Sequence, residues 1–183
     1  MASILNVDQI NNAAGTSGIA LDASTGKASF PNSVIIPNGA TMPAGSVLQV
    51  VFNEYNTQTS ITGTFANSGL SASITPTSNT NKVLIIIRPQ FRIHSISSDV
   101  GIGFRILRGG TTIYASSVNY DNYQYSNGAY VDRRGGDCIM AFDAPATTSG
   151  VTYYLQGAAY AGTNVNMQNA GNFSQMTLME IAQ

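Results

Sequence analysis

From Val47 onward the chain alternates apolar and polar residues in short runs. In Leu70-Ser-Ala-Ser-Ile74 the even positions share one side, the pattern of a half-buried strand. In Ile102-Gly-Phe-Arg-Ile-Leu-Arg108, Ile102, Phe104 and Ile106 share one face, and Arg105 lies on the other with Leu107. Lys82-Val-Leu-Ile-Ile-Ile-Arg88 is a continuous apolar run, which predicts a central strand covered on both faces. The pattern predicts strands over Val47–Asn53, Gln58–Phe65, Leu70–Thr75, Lys82–His94, Gly101–Arg108, Thr111–Val118, Asp137–Phe142, Val151–Tyr160, Val165–Asn169 and Met176–Ala182. Arg108-Gly109-Gly110-Thr111 places a Gly-Gly pair between two β-rich runs, which predicts a two-residue hairpin. Such spacing, with turn residues between strands, points to an all-β antiparallel sandwich of jelly-roll type over residues 46–183. No internal repeat and no Gly-X-Y period is present, so solenoid, propeller and collagen architectures are excluded.

Residues 1–45 read differently. Their only charges are Asp8, Asp22 and Lys27, and their only aromatic is Phe30. Gly15, Gly18, Gly26 and Gly39 separate short apolar pieces such as Ile4-Leu5, Ile19-Ala-Leu21 and Val34-Ile-Ile36. Pro31, Pro37 and Pro43 prevent a helix across the second half. The expectation is an extended arm of isolated anchors that packs on something else, such as two further copies in a homotrimer.

Composition narrows the function. Only 9% of the 183 residues are charged and the formal net charge is −1, against about 25% charged in an average domain. Gly, Ser, Thr and Asn supply 71 residues, yet 43% of the chain is hydrophobic, enough for a core. No basic stripe favours nucleic acid. No apolar run is long enough for a membrane helix, and Met1–Asp8 lacks the features of a secretory signal, so synthesis in a cytoplasm is expected. One cysteine and one histidine exclude a disulfide framework and multi-His metal sites, and no cofactor motif is present. An uncharged, hydroxyl- and amide-rich surface on a cytoplasmic product suits a virion protein, folded inside a bacterium and working outside it.

Candidate chemistry is sparse. Ser95, His94 and Asp99 could be drawn as a triad, but adjacent residues on a strand point to opposite faces, which favours a structural or surface histidine. Cys138 lies in an apolar stretch and reads as a buried thiol. Asp121, Asp132, Asp137 and Asp143 could supply a glycosidase or lyase pair, though Asp121 and Asp143 have ordinary turn roles. Arg133 and Arg134 read as an exposed turn paired with Asp132 or Asp137. The expectation is a protein that is not an enzyme and has no catalytic, cofactor or metal site. Tyr120-Asp-Asn-Tyr-Gln-Tyr-Ser-Asn-Gly-Ala-Tyr130 interleaves tyrosines with amides and hydroxyls. Tyr120, Tyr123, Tyr125 and Tyr130 are therefore candidate contacts to a host surface or glycan, or to a neighbouring subunit.

The opening Ala2-Ser-Ile-Leu-Asn-Val-Asp-Gln-Ile-Asn-Asn-Ala-Ala-Gly15 and Leu21-Asp-Ala-Ser-Thr-Gly-Lys-Ala-Ser-Phe-Pro31 resemble the attachment segment of tailed-phage (cyanophage-like) fibre and virion appendage proteins. Gly45–Val51, Ile74–Ile85, Thr147–Leu155 and Met176–Ala182 resemble the small β-rich domain of the same group. The resemblance implies a homotrimeric virion protein, with residues 1–45 as attachment arm and residues 46–183 as knob. Ile4, Leu5, Val7 and Ile10 would hold the arm to a tail hub or capsid protein. The function expected is a short tail or head fibre with some contact to the host surface. The alternatives are a capsid decoration protein and a lectin-like receptor-binding module. Nucleic-acid binding and membrane insertion are not expected.

Overall fold

The computed structural model describes residues 42–96, 98–116, 121–160 and 163–183, together with the backbone of 9–11, 17–21 and 28–29. The chain divides into two compact units, Met1–Thr41 and Met42–Gln183. In the first, β1 (Gln9–Asn11), β2 (Ser17–Leu21) and β3 (Ala28–Ser29) form an antiparallel sheet in that order. Here the structure departs from the arm of isolated anchors: Ile10 pairs with Ile19, and Ala20 with Ser29. Pieces this short satisfy their backbone groups by pairing with one another.

The second unit holds β4 (Val47–Tyr55), β5 (Thr59–Ile61), β6 (Ala66–Ile74), β7 (Lys82–Arg88), β8 (Gln90–Ser95), β9 (Val100–Arg108) and β10 (Thr111–Ala115). It continues with β11 (Asn122–Gln124), β12 (Val131–Gly136), β13 (Ile139–Asp143), β14 (Val151–Ala159), β15 (Asn164–Met167) and β16 (Ser174–Ile181). One sheet runs β10-β9-β14-β6, with β11 also on β9. Two others run β12-β8-β15-β5 and β13-β7-β16-β4. The strands of these two sheets are sequence neighbours in every column. They are two halves of one four-column layer. Joined this way, the unit is an eight-strand antiparallel jelly roll whose two layers each hold four columns.

The seam between the halves has local causes. Pro89 separates β7 from β8 and has no N–H for the ladder. Gln90 N–H instead donates to the Ser174 hydroxyl (2.8 Å). A 3-10 turn, Asn169–Gly171, separates β15 from β16, with Gln168, Ala170 and Gly171 at positive φ. The Gln168 amide lies 2.8 Å from the same Ser174 hydroxyl. Asp137-Cys138 and Asn56–Gln58 break the outer columns.

The core lies between the layers. Val83, Ile85, Ile87, Ile93, Met176 and Leu178 of one layer meet Leu70, Ile102, Phe104, Ile106, Tyr153 and Leu155 of the other, all almost wholly buried. The alternations expected in Leu70–Ile74 and Ile102–Arg108 hold: Arg105 points outward, its guanidinium 4.5 Å from the Phe65 ring centroid. The Gly109-Gly110 hairpin joins β9 to β10 with positive φ at Gly109 only, the sign pattern of a type II′ turn. Gly69, at φ +91°, sits where β6 and β14 slip register, and a Cβ there would collide with the Tyr55 ring.

Three expectations are corrected. Lys82–His94 is two strands, and β7 is covered on one face only, because Leu84 and Ile86 on its outer side remain half-exposed. Arg133 and Arg134 lie in β12, an edge strand that pairs along its whole length with β8. With one apolar residue in Val131-Asp-Arg-Arg-Gly-Gly136 the strand has no hydrophobic pattern; β8 recruits it through the ladder and through Arg92–Asp132. Cys138 is exposed, because it stands at the column break.

Candidate functional site

The four-column layer buries its inner face, so its outward side chains are free to vary. In the half built from β12, β8, β15 and β5, alternation in Gln90-Phe-Arg-Ile-His-Ser95 turns Phe91, Ile93 and Ser95 inward and Arg92 and His94 outward. The ladder then sets Asp132, His94 and Asn164 in one outward row. Arg134, Arg92, Asn166 and Ser60 form the next. Every outward residue of these rows is polar.

Arg92 donates from Nε and Nη2 to the two oxygens of Asp132 at 2.8 and 2.9 Å. The Tyr130 hydroxyl donates to the same carboxylate at 3.3 Å, and Arg134 lies 3.8 Å from it. Chiefly through the Arg92 hydrogen bonds, the Asp132 carboxyl is held down at about 2. Ser60 donates to Asn166 (3.0 Å). The His94 Nδ1 is buried and meets no hydrogen-bond partner among the described residues. Guanidinium donors, a charged acceptor and two amides on one open sheet face can hydrogen-bond several hydroxyls at once.

The tyrosine segment splits into framework and surface. Tyr120 lies outside the described residues. Tyr123 is half-buried in β11, its hydroxyl donating to Asp99 and its ring edge-on to Tyr160 at 5.3 Å. Asp99 also accepts from Ser126 N–H (2.8 Å), and these bonds, the Tyr123 one foremost, lower its pKa. The turn that follows is closed by Ala129 N–H on the Ser126 carbonyl (3.0 Å), with Asn127 and Gly128 at positive φ. Tyr125 and Tyr130 are left 69% and 59% exposed, so among the described tyrosines of this segment these two can offer a ring to a ligand. Of the attachment residues, Ile4, Leu5 and Val7 lie outside the described residues and Ile10 is in β1.

The carboxylates are bound into the framework. Asp121 accepts from Phe104 N–H (2.9 Å) and from the Tyr114 hydroxyl (3.0 Å), which burial first and Asp121 second push up to about 12. Asp137 accepts from Asn122 (2.7 Å) and from Cys138 N–H (2.9 Å). Asp143 accepts from Arg108 (2.6 Å) and from the buried Tyr153 hydroxyl (2.7 Å), whose pKa is raised by burial and then by Asp143. Ser95 accepts from Ser98 N–H (3.2 Å), and Asp99 is held by Tyr123 and Ser126, so neither faces His94 as a triad needs. Among the described residues no three His, Cys, Asp or Glu side chains group to hold a metal ion.

No protein-family model matches the chain, and no curated protein matches its sequence. Among solved structures it is similar to the VP2 subviral particle of infectious bursal disease virus, at 15% identity and a TM-score of 0.44 over 85% of this chain. It spans 41% of that protein's length. It is also similar to VP2 in T=1 particles derived from the same virus, at 16% identity and a TM-score of 0.37 over 85% of this chain and 45% of that one. A third likeness is to the CBM22-1 xylan-binding domain of Paenibacillus barcinonensis Xyn10C, at 10% identity and a TM-score of 0.31 over 78% of this chain and 99% of that domain. The strand order of the described residues, rather than these likenesses, defines the jelly roll.

Proposed function

We propose that this chain is a non-enzymatic structural protein of a bacteriophage particle, a short trimeric tail or head fibre. Residues 1–45 attach it to a tail hub or capsid protein, and residues 46–183 form its knob. The observation that carries this reading is the outward face of β13-β7-β16-β4. Its cross-strand rows are Met140–Ile86–Thr177–Phe52 and Phe142–Leu84–Met179–Val50. An isolated soluble domain gains nothing from such a face, whereas a particle component covers it. The resemblance of the N-terminal segment to phage attachment segments supports the same conclusion. So do Asp99, Asp121, Asp137 and Asp143, each already occupied by framework donors.

The test is deletion of residues 1–45, followed by thermal melting and by pull-down with assembled particles. A folded knob that no longer joins particles is expected. Retained incorporation would move attachment to the knob and overturn the arm's role.

A second role rests on the polar half of the layer. Exposed Tyr130, tied to the Arg92–Asp132 pair beside Asn164 and Asn166, presents a ring with hydrogen-bonding groups around it, the chemistry that stacks and orients a saccharide. Binding to host-surface glycan, read on a glycan array, should fall at least tenfold on Tyr130→Ala. An unchanged array signal would remove this role.

A further inference from the structure

We infer that the apolar outward face of β13-β7-β16-β4 is where copies of this chain pack on one another, with the symmetry axis running parallel to these strands. This deepens the trimeric reading above and rests on it. Val47, Val50, Phe52, Met140 and Phe142 are each 50–64% exposed and stand on this one face. With their half-buried neighbours they present roughly 600 Å² of apolar surface, the upper end of what monomers leave open. In a ring each copy divides this face between two neighbours, about 300 Å² to each, so it supplies the apolar centre of each interface and flanking residues supply the rest of the ~800 Å² that one partner contributes.

The charges of the face lie at its ends, which is the apolar centre and polar rim of an interface. Arg88, Gln175 and Glu54 form one end row, and Lys82 lies at the other end of β7. Their placement selects the partner and its orientation. Glu54 is on the edge strand β4, while Arg88 is two columns away on β7, at the same level. Rotation about an axis parallel to the strands preserves that level. It brings the β4 side of one copy to the β13-β7 side of the next, acid towards base. Rotation about an axis across the strands would set Arg88 against Lys82, two like charges. The face is thus self-complementary under the rotation that closes a ring of copies, which makes a second copy of this chain its occupant.

Sedimentation equilibrium of the full chain at micromolar concentration tests this. The unmodified protein should be a trimer. Phe52→Lys combined with Met140→Lys should leave a monomer with unchanged circular dichroism, because both side chains are more than half exposed. Glu54→Lys alone should weaken association at least tenfold, and Arg88→Glu in the same chain should restore it. A double-lysine protein that stays trimeric would overturn this face as the interface while leaving the trimer standing. A charge reversal without rescue would overturn the orientation. An unmodified protein that is monomeric would overturn both this inference and the trimeric reading.

Discussion

The two halves of the four-column layer share strand order, ladder and inner face, yet their outer faces are opposites. Below the seam Ile86, Leu84, Met179 and Phe52 point outward; above it Arg92, His94, Asn166 and Asp132 do. Inner positions on both sides are mostly Ile, Val, Leu, Met and Phe, with Ser95, Ser174 and Glu180 buried among them. The inner face holds the fold, and the outer face is therefore released to serve two surfaces with different chemistry. The seam at Pro89, Ser174 and Asn169–Gly171 is where one pattern gives way to the other.

The largest single effect is expected beneath the apolar half. Glu180 is wholly buried, yet its carboxylate accepts from Gln49 (2.6 Å), Thr77 N–H (2.7 Å), the Thr77 hydroxyl (2.8 Å) and Asn81 (2.7 Å). Burial raises its pKa, but these bonds outweigh burial and the net shift is downward. Glu180→Ala removes the charged acceptor of four hydrogen bonds, one of them from buried Asn81, and should cost about 3 kcal/mol in urea denaturation. Because the folded pKa is depressed, the stabilisation is complete above the ordinary carboxylate range and is lost as pH falls through the folded value. Glu180→Gln should flatten that acid loss, and a stability curve unchanged by the substitution would show the clamp to be idle.

At the edge of the sandwich, Gly69→Ala should cost about 2 kcal/mol, through a positive φ and a clash with the Tyr55 ring. In a Tyr55→Ala background the steric part should vanish, so a double-mutant cycle reads the coupling directly. Strict additivity would mean that backbone conformation alone sets the cost.

If the inner face alone holds the fold, the apolar outer half can be rewritten in the chemistry of the polar one. Leu84 and Met179 are cross-strand neighbours, as Arg92 and Asn166 are in the polar half. Leu84→Arg with Met179→Glu should leave the unassembled domain within about 1 kcal/mol of the original, since both sites lie on the outer face. A larger loss in denaturant would show that the outward side chains also hold the monomer. The smallest effect belongs to the polar half: Arg92→Ala should raise the Asp132 carboxyl from about 2 toward its ordinary 3.8, followed by NMR titration, with the thermal midpoint nearly unmoved.

By itself the sequence determined the fold class, the Gly109-Gly110 hairpin and which side of Leu70–Ile74 and Ile102–Arg108 faces the core. These are local consequences: alternation has the period of a strand, and a Gly-Gly pair can reverse one. Exposed Tyr125 and Tyr130 lay within the segment singled out by composition, but Tyr123 did not belong with them, because its partner Asp99 is brought by another loop. Arg92, His94, Asp132, Asn164 and Asn166 gave no joint signal, since only the register of β8 with β12 and β15 makes them neighbours. The same limit explains the continuous run in β7. Inside a strand, apolar residues on both faces look identical in sequence whether a second layer or a second molecule covers the outer one. Which residues meet across a sheet, and which face is left open, were decided only when non-local pairing closed the jelly roll.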